Sequence, residues 1–162
     1  MSQTFTHWVE RLSRACGVLA ALLLTFAMLV VCQMILMRYV FRAPTIWQTE
    51  AVVFGATAAI FLGAPYVLMT KGHVGVDFIQ MLVGARARRW MDRVGAWLGL
   101  TFCLLMTAAT GLHLFEALEG GWTTPSVAAV PLWMPLAPVV FGFVLLSLQY
   151  VVEIMKLSGD PS

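Results

Sequence analysis

Trp47-Gln48-Thr49-Glu50 opens and Lys71-Gly72-His73-Val74-Gly75-Val76-Asp77 closes a stretch that carries no formal charge over residues 51–70. A hydrocarbon core of about 30 Å takes about 20 apolar residues as a helix, so this run predicts one membrane crossing with a polar signature at each end. Within it Ala51, Gly55, Ala59 and Gly63 recur at every fourth position, which predicts a stripe of small side chains along a helix face. In lipid, helices associate through close van der Waals approach rather than through a hydrophobic driving force. The segment is therefore expected to pack against another helix.

Three more windows without Asp, Glu, Lys or Arg flank it, at residues 15–37, 94–115 and 120–152. The last is longer than one crossing, and Pro125, Pro131, Pro135 and Pro138 assign its first third to loop and helix entry. Composition agrees, because 60% of the 162 residues are hydrophobic and only 11% charged, against about a quarter charged in soluble domains. The expected fold is an all-α integral membrane protein forming a single membrane domain. Its spans are expected near 15–37, 48–70, 94–115 and 131–155. Pro131 suits the first turn of the fourth, where a missing N–H is harmless.

Two amphipathic segments are expected beside the spans. Phe5, Trp8, Val9 and Leu12 share a face ahead of the first, which predicts a short N-terminal segment on the membrane interface. Residues 74–92 combine Val74, Val76, Phe78, Ile79, Leu82 and Val83 with Arg86, Arg88, Arg89 and Trp90. With Lys71 and Arg93 they form a basic belt suited to anionic lipid of the inner leaflet. His73 and Asp77 are four apart, which on a helix makes them a hydrogen-bonded pair of local structure rather than a metal site.

Ten residues are Lys or Arg, and all but Arg38 and Arg42 fall on the side of the termini in a four-span path. The positive-inside rule then places both termini in the cytoplasm. The outer loop holds Arg38, Tyr39, Arg42 and Trp47, followed by Glu50 in the first turn of the second span. That carboxylate is favoured by the helix dipole, and either an ion pair with Arg38 or Arg42 or a contact with a partner is open to it. The first apolar run is too long for a signal-peptide core, and no small-x-small site follows it. Leu29-Val30-Val31-Cys32 has bulky residues where a lipidation site wants small ones. The first span is thus expected to be retained.

Catalytic chemistry is not legible. Cys16, Cys32 and Cys103 all fall within spans and suggest neither a disulfide nor a redox pair. Only His113 lies near a span where a haem would want two ligands, and no phosphate loop or nucleophile elbow is present. Neither an enzyme, a cofactor, a metal nor a nucleic-acid partner is expected. Charged residues mark pathways inside membranes, and every one here is expected at an interface or in a loop. Gly95, Gly99, Cys103, Thr107 and Gly111 repeat the four-residue spacing in the third span, so the chain reads as a packing module.

The order of several short motifs adds to this reading. Arg38-Tyr39-Val40-Phe41, Trp47-x-x-Glu50, Gly63-Ala64, His73-Val74-x-Val76-Asp77, Thr124-Pro125, Val130-Pro131-Leu132-Trp133 and Pro138-Val139 together resemble the small membrane subunit of tripartite ATP-independent periplasmic (TRAP) transporters. The resemblance covers nearly the whole chain. Thr49 stands where that family often has a second acidic residue, and Pro65 where it usually has a good helix former.

The resemblance implies a three-part transporter. A periplasmic substrate-binding protein delivers an organic anion, a large polytopic membrane subunit carries it with a sodium gradient, and the small subunit is required for the complex. Under that implication Ala51, Gly55, Ala59, Gly63, Gly95, Gly99 and Gly111 are partner-packing candidates, and Arg38, Tyr39, Arg42, Trp47 and Glu50 are periplasmic docking candidates. The rival expectations are a four-helix exporter working as a homodimer, which needs an embedded carboxylate such as Glu50, and an accessory subunit of another membrane complex.

Overall fold

A computed structural model describes residues 2–70, 85–126 and 128–159. Four helices account for the regular structure among them: α1 (Ser2–Tyr39), α2 (Gln48–Met69), α3 (Ala85–Glu119) and α4 (Trp133–Gly159). Each is long and apolar enough to cross a membrane. The fold is all-α, and among the described residues only an isolated bridge between Thr123 and Pro131 has strand-like pairing.

α1 is one continuous helix, so the amphipathic N-terminal stretch is its first turns rather than a separate segment. Its 38 residues span about 57 Å at 1.5 Å per residue, well beyond a 30 Å core. The seam explains the continuity. Val9, Ser13, Cys16, Ala20, Leu23, Ala27, Val30, Met34 and Met37 are all buried or half-buried and are spaced alternately four and three apart. A seven-residue repeat of that kind holds one face against a partner over many turns. It carries the helix through the charged residues Glu10, Arg11 and Arg14, which sit off the seam.

α1 packs along α2, α2 along α4, and α4 along α3, giving a layer in the order α1–α2–α4–α3. Near the termini α1 also reaches α4. Val9 and Cys16 of α1, Ala58 and Leu62 of α2, and Leu145 and Val152 of α4 form a core there, with Leu23 against it. Backbones come close at two crossings. A Cβ at Gly142 of α4 would stand 2.5 Å from the Phe61 carbonyl oxygen of α2, and a Cβ at Gly63 of α2 would stand 3.3 Å from Ala20 Cβ of α1. Phe61 and Phe143 pack their rings at 5.1 Å beside the first crossing.

α3 has α4 as its main neighbour, through Ala96, Leu100, Cys103, Thr107, Thr110, Leu114 and Ala117, again at alternating four and three spacing. It ends at Gly121, whose φ of +59° lets the Trp122 N–H reach the Ala117 carbonyl. This is the left-handed helix stop that glycine adopts at least cost. A small hairpin follows. Thr124 N–H donates to Val130 O and Leu132 N–H to Trp122 O, and the Thr124 hydroxyl accepts from Val130 N–H. That pairing draws Pro131 into the hairpin, and α4 begins two residues later at Trp133. Pro131 is thus not in the first turn of α4; Pro135 is, and Pro138 lies inside the helix.

Candidate functional site

With no group of three His, Cys, Asp or Glu side chains gathered among the described residues, the site to be built is the set of faces that the four helices leave to others. The small-residue positions divide sharply. Gly63 and Gly99 are filled from within the chain, Gly63 by Ala20 and Gly99 by the ring of Tyr150. Ala59 is buried. At Gly55, Gly95 and Gly111 an added Cβ would meet nothing within 4 Å. A four-residue spacing advances about 40° per step around a 3.6-residue helix, so Gly95 and Gly111 stand about 160° apart and cannot share one face. The expected stripes are therefore spirals, and each turns from a closed contact to an open one.

Residues outside those stripes make contacts just as close. A Cβ at Gly17 of α1 would meet the Tyr66 ring at 2.6 Å, so Tyr66 lies flat on that glycine. The Ser13 hydroxyl donates to Gln149 Oε1 at 3.0 Å across the α1–α4 contact, and both side chains are fully buried. Gln149 Nε2 has no hydrogen-bond partner there. Ser147, two residues earlier in α4, instead bonds back to the Phe143 carbonyl. Gly17 falls on a four-residue run of small residues of its own, Ser13, Gly17, Ala21 and Thr25, whereas Gly142 falls on none.

The outer loop differs from the ion-pair expectation. Arg38 Nε donates to the Thr45 hydroxyl at 2.9 Å, and Arg42 takes a positive φ of 50° in the turn where Ala43 N–H reaches Met37 O. Neither bonds Glu50. Both Glu50 carboxylate oxygens are shielded from solvent and have no hydrogen-bond partner among the described residues. Glu50 lies eleven residues before Phe61, about three whole turns, and so shares the α2 face that packs on α4. Thr49, where an acidic neighbour was of interest, instead points its hydroxyl at Met34 Sδ of α1, 3.8 Å away. Tyr39 and Trp47 are exposed.

Lys71, His73 and Asp77 lie outside the described residues, so their belt and pair expectations stay expectations. Arg86, Arg88 and Arg89 belong to the first turns of α3, which takes in the second half of the anticipated interfacial segment. Trp90 is exposed, and Arg93 Nη2 donates to the Leu157 carbonyl of α4 at 3.4 Å. Lys156 Nζ meets Glu10 Oε1 at 2.6 Å, tying the end of α4 to the start of α1. Among the described residues no group of three His, Cys, Asp or Glu side chains is placed to hold a metal.

Comparison with known proteins converges on one family. Residues 27–159 match the DctQ component of tripartite ATP-independent periplasmic transporters. A C4-dicarboxylate TRAP transporter small permease protein, DctQ, of Vibrio cholerae is 30% identical over 102 residues. That alignment takes in 63% of this chain and 41% of the relative's length, so the chain matches less than half of that protein. No solved structure matches. The family is one of transporter subunits, and four helices long and apolar enough to cross a membrane agree with a multi-pass protein of the inner membrane. The chain belongs to the DctQ component family of TRAP transporters, as a small permease subunit.

Proposed function

We propose that this subunit scaffolds a large polytopic partner in the bilayer during sodium-coupled uptake of an organic anion delivered by a periplasmic binding protein. A carboxylate is the substrate class, by analogy with the C4-dicarboxylate system named for the Vibrio cholerae relative. Both termini face the cytoplasm in this reading, on the strength of the Lys and Arg distribution.

The observation that carries the proposal is the lack of charge in the spans. Residues 15–37, 51–70, 94–115 and 120–152 contain no Asp, Glu, Lys or Arg, and an ion pathway through a membrane ordinarily needs them. A chain so built has surfaces to offer rather than a route. Open positions at Gly55, Gly95 and Gly111 support the same reading, because a partner helix can approach the backbone there. Arg42, Tyr39 and Trp47 on the outer side are the docking candidates for the binding protein.

The test is co-purification followed by transport. Tagged subunit extracted gently from its native membrane is expected to bring a large polytopic protein in equal amount. The reconstituted pair should take up a carboxylate only with a sodium gradient and the binding protein present. A chain that emerges alone or as a homodimer, and transports unaided in vesicles, overturns the proposal in favour of the exporter. The shielded, unpartnered Glu50 is the feature that exporter would use.

A further inference from the structure

A cavity of about 600 Å³ opens between the helices, with Gly17 and Ala21 of α1, Gly63 and Ala64 of α2, and Phe102 and Cys103 of α3 among its walls. Its lining is overwhelmingly apolar. The size falls within the 300–1,000 Å³ typical of small-molecule sites. A second cavity, about 640 Å³, shares Gly17, Ala21 and Tyr66 with the first and runs past Thr70 to Arg14. The two form one groove, apolar at hydrocarbon depth and cationic at its mouth.

Arg14 is the last charged residue before the charge-free window of α1, which sets it at headgroup level with its stem free to snorkel. It is exposed and has no ion-pair or hydrogen-bond partner among the described residues. The nearby carboxylate, Glu10, feels the Arg14 charge but is hydrogen-bonded by Lys156. An occupant must therefore pair an apolar chain with an anionic head. A water-soluble anion would leave the apolar part empty, and a partner helix would have to carry an acid to this depth.

We propose that the groove is a binding site for an anionic phospholipid of the leaflet on the side of the termini. One acyl chain lies between α1, α2 and α3, and the phosphate sits against Arg14 at the mouth, beside Thr70, whose own hydroxyl donates back to the Tyr66 and Val67 carbonyls. The site is distinct from the basic belt on α3, and it does not depend on which substrate the transporter carries.

Native mass spectrometry of the full chain together with its co-purifying membrane partner tests it, after exchange through vesicles of phosphatidylglycerol or of phosphatidylcholine. One retained phosphatidylglycerol per chain is expected, favoured over phosphatidylcholine by about fivefold for the single basic side chain. Arg14→Gln should abolish the preference while leaving assembly intact. Ala21→Phe, at an exposed position common to both cavities, should expel the lipid itself. Arg11→Gln removes the same charge without touching the groove and should change nothing. Inorganic phosphate should not compete. Equal retention of both lipids, no retained lipid, or an Arg11→Gln effect equal to that of Arg14→Gln would overturn the proposal. Crosslinks from position 21 to the partner in place of lipid would do the same and assign the groove to a partner helix.

Discussion

The two long helices, α1 and α3, both carry a seam of small and medium side chains at alternating four and three spacing, yet α1 is closed against α2 along its length and against α4 near the termini, whereas α3 is held mainly by α4. The most apolar stretch of α1 is 22% buried and that of α3 only 11%. The same device therefore yields a sealed contact or an outlying helix according to how many neighbours meet it. α1, α2 and α4 share a core near the termini, and α3 adds apolar surface beside it.

The strongest test of the sealed side is Gly142→Ala. Its new Cβ would strike the Phe61 carbonyl, and backbone on a packed helix cannot swing aside as a side chain can. Overpacking of this kind costs about 1–3 kcal/mol, and the upper end is expected here. Detergent-denaturant unfolding should show it, with Gly111→Ala as the open-face control. Wild-type stability for Gly142→Ala would mean that α2 and α4 are not in backbone contact.

Next in size is the buried pair that fastens α1 to α4. Ser13→Ala strips Gln149 Oε1 of its donor in a place without water, which costs about 1–3 kcal/mol for an unsatisfied buried polar group. Gln149→Leu removes the amide altogether, including its unpartnered Nε2, and should cost less. A double-mutant cycle is expected to give a coupling of about 0.6 kcal/mol, the usual value between membrane helices. Zero coupling would leave α1 joined to α4 by apolar contact alone.

The third test sets closed glycine against open within the outlying helix and α2. Gly99→Ala pushes on the Tyr150 ring, which can rotate away, so about 1 kcal/mol is expected. Gly95→Ala and Gly55→Ala meet nothing and should be neutral or stabilise the isolated chain by about 0.5–1 kcal/mol through helix propensity. In the complete transporter the order should reverse if these faces hold the large subunit. Normal assembly with leucine at both Gly55 and Gly95 would remove them from the partner interface.

How much of this could be read beforehand follows from period and range. Four spans, their charge-free cores and the polar bracket around residues 51–70 are local properties of hydropathy, and they are plain in the chain. The α1 and α3 seams were present too, but as a seven-residue repeat, and a four-residue stripe is a poor proxy because it precesses off one face. Gly142 against Phe61 and Ser13 against Gln149 are contacts between distant segments, and no local signal encodes which helices become neighbours. Glu50 shows the other limit. Nearness in sequence to Arg38 and Arg42 suggested a pair, but Arg38 is taken by Thr45, and Glu50 shares the α2 face that packs on α4.

The smallest effect is expected where α4 ends, held from two sides. Glu10 of α1 meets Lys156 at 2.6 Å with its side chain 18% exposed, whereas Arg93 of α3 reaches the Leu157 carbonyl at 3.4 Å. Glu10→Gln leaves Lys156, whose side chain is 45% exposed, free to hydrate, so no buried charge is stranded and the loss should lie within about 0.2–1 kcal/mol. Salt should erase part of it, since such pairs are screened over a Debye length of about 8 Å at physiological ionic strength. Arg93→Gln should cost less still, because a long bond to one carbonyl of a fraying helix end contributes little. Amide hydrogen exchange over residues 153–157 reads both losses directly. Faster exchange for Glu10→Gln than for Arg93→Gln keeps α1 as the element that anchors the end of α4. The reverse order would mean that α3, for all its exposure, is the firmer neighbour at this end of the molecule.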